Sequence, residues 1–236
     1  MGKNLIQQRR GKGSLRFRAP KHTFYGRSEY PKMELEVKGK IKDFIHCPAH
    51  TTPLMEVEYD NGSKMLMIAP EDAKVGEELL MGKNAPQKNG NVLPLGKVAE
   101  GTLIFNLEAK PGDGGKFVKS SGSSAKIVGK TESSISVLLP SKKVKEFSPD
   151  CRATIGRAAG SGRLEKPLMK AGTAYYKTKA RNKFWPNVCG QSMNAVAHPH
   201  GGKRSSKKNY SLCVPRSAPP GAKVGKIAPS RTGRKR

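Results

Sequence analysis

The sequence has few cysteines and no long apolar run. Its four cysteines, Cys47, Cys151, Cys189 and Cys213, lie far apart and form no CxxC pair. This spacing argues against both a disulfide framework and a cysteine zinc site, so we expect reduced thiols. The longest apolar runs fall far short of the roughly 20 residues that a membrane-spanning helix needs. We therefore expect a soluble, cytosolic protein that is not secreted.

Acidic residues are scarce at both ends of the chain. Residues 1–32 contain 9 Lys or Arg and 1 acid, residues 33–150 contain 16 of each, and residues 151–236 contain 20 and 1. A balanced stretch is typical of a folded module, whereas a one-sign segment is typical of an arm that lies along a polyanion. The pattern favours nucleic acid as the partner. An anionic membrane is disfavoured because the arms have no amphipathic apolar stripe and no acylation motif.

The neutral middle predicts β-structure. Residues 33–39 alternate apolar and charged side chains, and residues 54–59 and 64–68 flank an Asn-Gly pair that favours a tight hairpin turn. Further short apolar runs recur about every ten residues, which is the rhythm of a small barrel. They cover residues 40–45, 75–82, 101–108, 125–129, 134–139 and 143–147. We predict a mainly β fold with two small barrels in tandem and no amphipathic helix between residues 33 and 150.

The arms are poor candidates for a folded core. They are rich in Gly, Pro, Ser, Lys and Arg and have few large apolar residues in series. Such segments cannot offset the entropy lost on folding, which is on the order of 1–2 kcal/mol for each residue's backbone. We expect long, basic, largely irregular extensions that order only against a partner.

Residues 175–187 (YYKTKARNKFWPN) interleave cations with aromatic rings. Lys and Arg neutralise phosphates, while Tyr176, Phe184 and Trp185 can stack on unpaired bases. The alternative for Trp185 is that it packs against its own tail, since a single Trp beside a proline often does so.

His198 and His200 lie two residues apart in a Gly-rich stretch. Imidazoles at this spacing can ligate a metal or transfer protons. However, a metal site needs three or four ligands, and from residue 151 onward the only acid is Glu165. No carboxylate is at hand to orient an imidazole for catalysis. RNA contact is the favoured interpretation, with the neighbouring glycines allowing a close approach to phosphate.

A second possible ligand cluster is formed by His46, Cys47 and His50, whose sulfur and imidazoles can bind zinc. The plainer interpretation, which we favour, is a loop that follows a strand and contains Pro48. We therefore predict no metal and no cofactor.

Several motifs in order along the chain resemble one family. The chain is similar to the universal L-two family, the second protein of the large ribosomal subunit, and its opening resembles the archaeal and eukaryotic branch. The motifs are residues 90–95 (GNVLPL), 120–125 (SSGSSA), 151–156 (CRATIG) and 190–202 (GQSMNAVAHPHGG), with 8–14 (QRRGKGS) and 17–20 (FRAP) for the branch.

The resemblance implies an OB-like barrel followed by an SH3-like barrel, with both tails in ribosomal RNA near the peptidyl transferase region and the subunit interface. On this basis we expect a basic arm at residues 1–32, barrels at 33–84 and 85–163, and an RNA-binding extension at 164–236. The expected function is that of a structural, non-enzymatic constituent of the large subunit, which binds its RNA and supports assembly, subunit association and the architecture around the catalytic centre. Expected partners are large-subunit RNA, neighbouring ribosomal proteins and the small subunit, and the protein is expected to be a monomer within the ribosome.

Two positions depart from the family's pattern. Cys189 stands where an arginine is usual, and Ala197 stands where an acid is usual. The missing acid removes a local partner for His198, so we transfer RNA contact and not catalysis to this stretch. The alternatives that stay open are a hydrolase or nuclease using His198 and His200, and an RNA-binding chaperone that acts off the ribosome.

The predicted RNA contacts combine the cations of both arms with the polar residues of the tail. Three arginines, Arg152, Arg157 and Arg163, are expected to bind phosphate where the chain leaves the second barrel. The remaining predicted contacts are Arg9, Arg10, Lys12, Arg16, Arg18, Lys177, Lys179, Arg181, Lys183, Trp185, Asn194, His198, His200, Lys203 and Arg204.

Overall fold

The computed structural model describes residues 2–31, 36–202 and 212–230. Within it the chain divides into two compact units. Unit 1 combines the two ends of the chain, Met1–Pro20 and Met169–Arg236, and unit 2 comprises Lys21–Leu168. Both basic ends of the sequence therefore contribute to the same compact unit.

Unit 2 consists of β-strands joined by turns, and its described residues contain no α-helix. Short 3-10 turns lie at Lys21–Thr23, Leu95–Lys97 and Ser161–Arg163. The predicted mainly β fold class is confirmed. The ten strands are β1 (Val37–Ile45), β2 (Leu54–Tyr59), β3 (Lys64–Ile68), β4 (Glu78–Met81), β5 (Val92–Pro94), β6 (Leu103–Phe105), β7 (Ala125–Lys130), β8 (Ile135–Leu138), β9 (Val144–Phe147) and β10 (Arg152–Ile155).

The ten strands form one continuous ladder in the order β3-β2-β1-β4-β5-β10-β6-β7-β8-β9. The pairs are antiparallel except for β4 and β5, which run parallel and meet at Met81 and Val92. In the ladder, β1–β4 therefore join β5–β10 through the β4 and β5 pair. Strand β10 is central to the second half because it pairs with both β5 and β6. The division into an OB-like and an SH3-like barrel stays a prediction.

The hairpin of β2 and β3 forms where the sequence predicts it. Glu58 pairs with Lys64 and Val57 with Met65, so the turn includes Asn61 and Gly62. Gly62 has a φ of +75°, a conformation that glycine adopts without steric cost. The Asn61 side chain accepts a hydrogen bond from the Ser63 backbone N–H at 3.0 Å. The local turn chemistry thus fixes the register of the two strands.

The apolar core falls into clusters that follow the ladder. One cluster comes mainly from β1–β4 and contains Ile41, Met55 and Met67, and a second comes mainly from β5–β10. A third joins residues of both halves, among them Leu54 and Phe105. Full burial of such side chains stabilises the fold by roughly 1.5–3 kcal/mol each.

Some predicted strands differ from the observed ones. Strand β1 covers Val37–Ile45, whereas residues 33–35 of the first predicted run lie outside the described residues. The runs at 75–82 and 101–108 shorten to β4 and β6. Strands β5 and β10 were not predicted as strands, although both lie in the family motifs. The other predicted runs match β2, β3, β7, β8 and β9.

The described part of unit 1 has little regular structure, as expected for the extensions. It contains helices α1 (Ile6–Gly11) and α2 (Ala171–Lys179), and a parallel pair of short strands, β11 (Cys213–Val214) and β12 (Lys226–Ile227). Neither α-helix has a buried residue. Among the described residues, no helix has the length and apolar character that a membrane crossing requires.

The two ends of the chain are joined within unit 1 by hydrogen bonds. The Lys3 N–H donates to the Val196 carbonyl at 2.7 Å. The Asn182 side chain donates to the carbonyls of Leu15 and Arg18, each at 2.7 Å. The expectation that each arm orders only against an external partner overlooked these contacts between the arms.

Candidate nucleic-acid interface

Unit 1 contains no acidic residue. Its sequence has 22 Lys or Arg and no Asp or Glu, whereas unit 2 has 23 Lys or Arg and 18 acids. The separation of charge is therefore sharper between the two compact units than between the segments defined from the sequence. A one-sign surface of this kind raises the local concentration of a polyanion.

A basic groove of about 450 Å³ lies within unit 1. Three cations contribute to it: Arg9 from α1, Lys12 at the end of that helix, and Arg16 from the 3-10 turn Leu15–Phe17. The Arg16 guanidinium carbon lies 5.3 Å from the centre of the Phe184 ring, a cation–π distance that orients the charge. The full lining is Asn4, Arg9, Lys12, Ser14, Arg16, Phe17 and Phe184.

Helix α2 holds a group of aromatic rings at the surface. The Tyr175 ring centre lies 5.4 Å from that of Tyr176 and 6.4 Å from that of Trp185. Trp185 is half-buried in this group, which favours the packing interpretation over base stacking. Tyr176 is 68% exposed, so its ring is the best placed of the three to stack on a base.

Residues 194–202 form a compact loop, here called the His198 loop. The N–H groups of Ala197 and His198 donate to the Asn194 carbonyl at 2.9 and 3.1 Å, and the Gly202 N–H donates to the Met193 carbonyl at 2.9 Å. A Cβ on Gly201 would overlap the carbonyls of Met193 and Asn194. Gly201 is thus required by the packing of the loop itself, a reason different from the phosphate approach that the sequence suggested.

The two imidazoles of this loop contact each other. The His200 backbone N–H donates to His198 Nδ1 at 3.0 Å, and the ring centres are 5.0 Å apart. Burial, with a smaller contribution from the charge of His200, lowers the pKa of His198 below its ordinary value. Near pH 7 the His198 ring is therefore neutral and carries its hydrogen on Nε2. This arrangement can donate one hydrogen bond to a phosphate oxygen, while no carboxylate of unit 1 exists to orient the ring for catalysis.

Arg152 has a structural role inside unit 2. Its Nη2 lies 2.7 Å from Glu108 Oε1, its Nε lies 3.2 Å from both oxygens, and its Nη1 donates to the Pro31 carbonyl at 2.9 Å. The guanidinium also lies 5.3 Å from the centre of the Tyr30 ring. Glu108 is fully buried. The side chain that was expected to bind phosphate is thus engaged by a buried carboxylate.

The other two arginines near β10 are less constrained. Arg157 is exposed, with Nε 3.9 Å from a Glu71 oxygen. Arg163 is half-buried and donates from Nε to Ser121 Oγ at 2.6 Å, and its two terminal nitrogens carry four further N–H donors.

The remaining predicted contacts belong to unit 1, and most are exposed. Arg181 is half-buried and His200 is buried, and both interact with other residues of the protein. Lys203 and Arg204 lie outside the described residues. The exposed ones are Arg9, Arg10, Lys12, Arg16, Arg18, Lys177, Lys179, Lys183 and Asn194.

The possible zinc ligands near residue 46 do not converge. Cys47 is buried in the third apolar cluster, His46 is exposed and His50 is half-buried. Across the described ranges, no group of three or more His, Cys, Asp or Glu side chains is arranged to hold a metal ion.

Sequence reasoning missed Asn182 and Glu108. Asn182 follows α2 with a φ of +50°, and an asparagine after a helix is a recognisable signal for such an end. Glu108 carries no comparable signal, because its partner Arg152 is 44 residues away in the chain.

Comparison with known proteins gives consistent matches. The family profile described as "Ribosomal Proteins L2, C-terminal domain" matches residues 88–218. The chain is 46% identical to the large ribosomal subunit protein uL2 of Sulfolobus acidocaldarius over 235 residues, covering 100% of this chain and 99% of that protein. It is also 46% identical to the protein of the same name from Hyperthermus butylicus, with both chains covered completely.

Proposed function

The chain belongs to the ribosomal protein L2 family, and from this premise we propose that it binds ribosomal RNA through the surface of unit 1. As a protein of the large ribosomal subunit, it takes part in translation at the ribosome. The observation that carries the RNA proposal is the complete absence of acids from a unit with 22 Lys or Arg. Each cation that meets a phosphate releases condensed counterions, which drives binding.

The basic groove is the centre of the proposed RNA surface. Arg9, Lys12 and Arg16 supply positive charge on one groove, and Phe17 and Phe184 supply aromatic rings beside it. A guanidinium can bind a phosphate through two parallel hydrogen bonds, and a ring can stack on an unpaired base. RNA offers both groups at once.

Other proposed RNA contacts belong to residues that do not line this groove. In unit 1 they include the exposed cations of α2 and the His198 loop, where the neutral His198 donates through Nε2. In unit 2 they include Arg157 and Arg163 but not Arg152, because Glu108 engages that guanidinium. The proposal also retains Lys203 and Arg204 from the sequence.

The finer role rests on the family resemblance. We propose that the protein is a structural constituent that supports assembly of the large subunit, its association with the small subunit and the architecture around the peptidyl transferase centre. Neighbouring ribosomal proteins and the small subunit are its proposed partners. The proposed domains remain an arm at 1–32, an OB-like barrel at 33–84, an SH3-like barrel at 85–163 and an extension at 164–236.

The salt dependence of RNA binding tests the proposal. We expect the combined variant Arg9→Ala, Lys12→Ala, Arg16→Ala to flatten the slope of log K against log salt by about 0.7–0.9 for each lost phosphate contact. The measurement is a filter-binding titration of large-subunit RNA at several salt concentrations.

The matched control removes the same charge from unit 2. Lys64, Lys126 and Lys143 are exposed lysines of β3, β7 and the loop before β9. Their combined replacement by Ala should leave the slope close to that of the unmodified chain. Equal flattening in both variants would mean that only total charge matters and would refute the assignment to the basic groove.

A further inference from the structure

The chain has two Asn-Gly pairs, Asn61-Gly62 and Asn89-Gly90, and their surroundings differ. In such a pair the glycine nitrogen can attack the side-chain carbonyl of the asparagine, because glycine has no side chain to hinder the approach. In a folded protein the attack requires that the backbone of the pair can move. The two pairs therefore compare the same chemistry in two environments of one molecule.

Asn61-Gly62 lies at the tip of the β2 and β3 hairpin, where both residues are exposed. A Cβ added to Gly62 would meet no atom within 4 Å. The Gly62 N–H donates to the Tyr59 carbonyl at 2.8 Å. Because solvent surrounds this turn, water can replace that hydrogen bond when the tip opens. The Gly62 nitrogen is thus accessible for reaction.

Ser63 directs two hydrogen-bond donors at the asparagine carbonyl of this pair. Its backbone N–H and its hydroxyl donate to Asn61 Oδ1 at 3.0 and 2.6 Å. This oxygen gains negative charge when a nitrogen attacks the carbonyl carbon Cγ. Donors placed at a developing oxyanion lower the barrier to such an attack. Ser63 therefore activates the carbonyl that Gly62 attacks.

Asn89-Gly90 is held in place by the surrounding fold. Gly90 is buried, and its N–H donates to the Ile155 carbonyl of β10 at 3.0 Å. A Cβ added to Gly90 would lie 2.9 Å from the Leu79 side chain. The Asn89 side-chain amide donates to the Glu71 carbonyl at 2.6 Å. Reaction of this pair requires that contacts with three other segments of unit 2 first open.

We propose that Asn61 is a site of spontaneous deamidation in the folded protein and that Asn89 is protected. The Gly62 nitrogen loses its proton to water or hydroxide and forms a bond to Asn61 Cγ. The bond between Cγ and Nδ2 then breaks, and Nδ2 takes up a proton and leaves as ammonia. The product is a five-membered succinimide. Water hydrolyses this ring at either of its carbonyls, which gives aspartate or isoaspartate at position 61.

Deamidation alters the turn that sets the register of the hairpin. Both products carry a negative charge next to Asp60, and isoaspartate inserts one extra carbon into the main chain between β2 and β3. The turn fixes the pairing of Glu58 with Lys64. We therefore expect the isoaspartate form to pair these strands less stably than the unmodified chain.

The experiment compares the two pairs in the same sample. The full chain is incubated in a mildly alkaline buffer, which favours loss of the Gly62 proton. Tandem mass spectrometry of the tryptic peptides 43–64 and 89–97 then measures deamidation of Asn61 and Asn89, with a fresh sample digested in parallel. We expect Asn61 to react at least about tenfold faster than Asn89, since Asn89 requires local opening. In urea, where both pairs are unfolded, the two rates should converge.

Ser63→Ala tests the contribution of the hydroxyl group. The variant keeps the backbone N–H and loses one donor to Asn61 Oδ1, so deamidation of Asn61 should slow by about fivefold. The matched control is Ser133→Ala, at an exposed serine in the turn between β7 and β8, which should leave the rate unchanged.

The outcomes separate a site created by the fold from a property of the dipeptide. Faster reaction of Asn61 in the folded chain, convergence in urea and slowing in Ser63→Ala alone support the proposal. Equal rates in the folded chain, a difference that persists in urea, or an unchanged or faster rate in Ser63→Ala overturns it. The proposal is independent of RNA binding, because none of these residues belongs to the proposed RNA contacts.

Discussion

Glu108 satisfies an unusual number of donors for a fully buried side chain. Its oxygens accept hydrogen bonds from the backbone N–H groups of Gly112, Gly114 and Arg152, and from the Arg152 guanidinium. Arg152 in turn contacts Tyr30, whose hydroxyl donates to the Asn106 carbonyl at 2.6 Å. One carboxylate therefore links the segment before β1, the turn after β6 and strand β10.

Removing this carboxylate should strongly destabilise the fold. We expect Glu108→Ala to lower the free energy of unfolding by about 3–5 kcal/mol, because it leaves the Arg152 charge without compensation in a mostly buried place. The measurement is urea unfolding of the full chain followed by far-UV circular dichroism, which reports on the strands of unit 2.

The control is an ion pair at the surface. Lys42 Nζ lies 2.6 Å from Glu58 Oε2, on solvent-facing sides of β1 and β2. Since solvent screens such a pair, Glu58→Gln should barely move the unfolding midpoint. A similar loss in both variants would contradict the special role of Glu108.

At the scale of single residues, sequence reasoning identified types of chemistry better than roles. It recognised cations suited to phosphate, and most of those in unit 1 are exposed. It assigned the same role to Arg152, because the sequence gives no sign that the buried Glu108 carboxylate pairs with that residue. Whether an arginine can bind RNA depends on whether a buried acid already pairs with it. The tertiary fold determines such a pairing between residues that are distant in the chain.

At the scale of elements, Asn182 joins α2 to the N-terminal arm. Asn182 lies just after the end of α2 and has a left-handed backbone conformation. Its side-chain amide donates to the carbonyls of Leu15 and Arg18. Those two carbonyls flank Arg16, a cation of the basic groove. Asn182 therefore positions the groove without lining it.

Asn182→Gly isolates the contribution of the amide. Glycine accepts the positive φ, so the variant keeps the backbone conformation and loses both side-chain hydrogen bonds. At about 1 kcal/mol for each of the two hydrogen bonds, we expect trypsin to cleave the free chain up to about thirtyfold faster after Arg16 and Arg18. Mass spectrometry of timed digests measures the rate. Asn187→Gly, at an exposed asparagine in the same segment, should change it little, and unchanged cleavage in Asn182→Gly would disprove the positioning role.

The elements that could be predicted are those with a local signal. The β2 and β3 hairpin has an Asn-Gly turn between two apolar runs. Strand β10 has no such pattern. Ala153, Thr154 and Ile155 are all buried, so apolar and polar side chains do not alternate along the strand as they do where one face is exposed to solvent. Helix α2 has no buried residue, so no apolar stripe marks it.

At the scale of the whole molecule, the charge step predicted two arms, but the units have different limits. Unit 2 begins at Lys21 and ends at Leu168, so it includes the end of the predicted N-terminal arm and the start of the C-terminal segment. The physical reason is Tyr30, which is buried at 3% exposure and shares a hydrogen bond of 2.6 Å with Thr154 of β10. Charge counts cannot reveal such an anchor, because they ignore which neutral side chains are buried.

The concentration of positive charge in unit 1 predicts how the protein leaves the ribosome. If unit 1 binds folded RNA through many phosphates together with aromatic contacts, the protein should remain with the large subunit in a sucrose gradient at high salt, since screening weakens only the electrostatic part. The variant lacking Arg9, Lys12 and Arg16 should shift toward the light fractions at a lower salt concentration, and the unit 2 control lacking Lys64, Lys126 and Lys143 should not. Immunoblots of gradient fractions across a salt series measure this release. Complete release of the unmodified chain at moderate salt would instead identify a peripheral, mainly electrostatic RNA binder and would favour a chaperone acting off the ribosome.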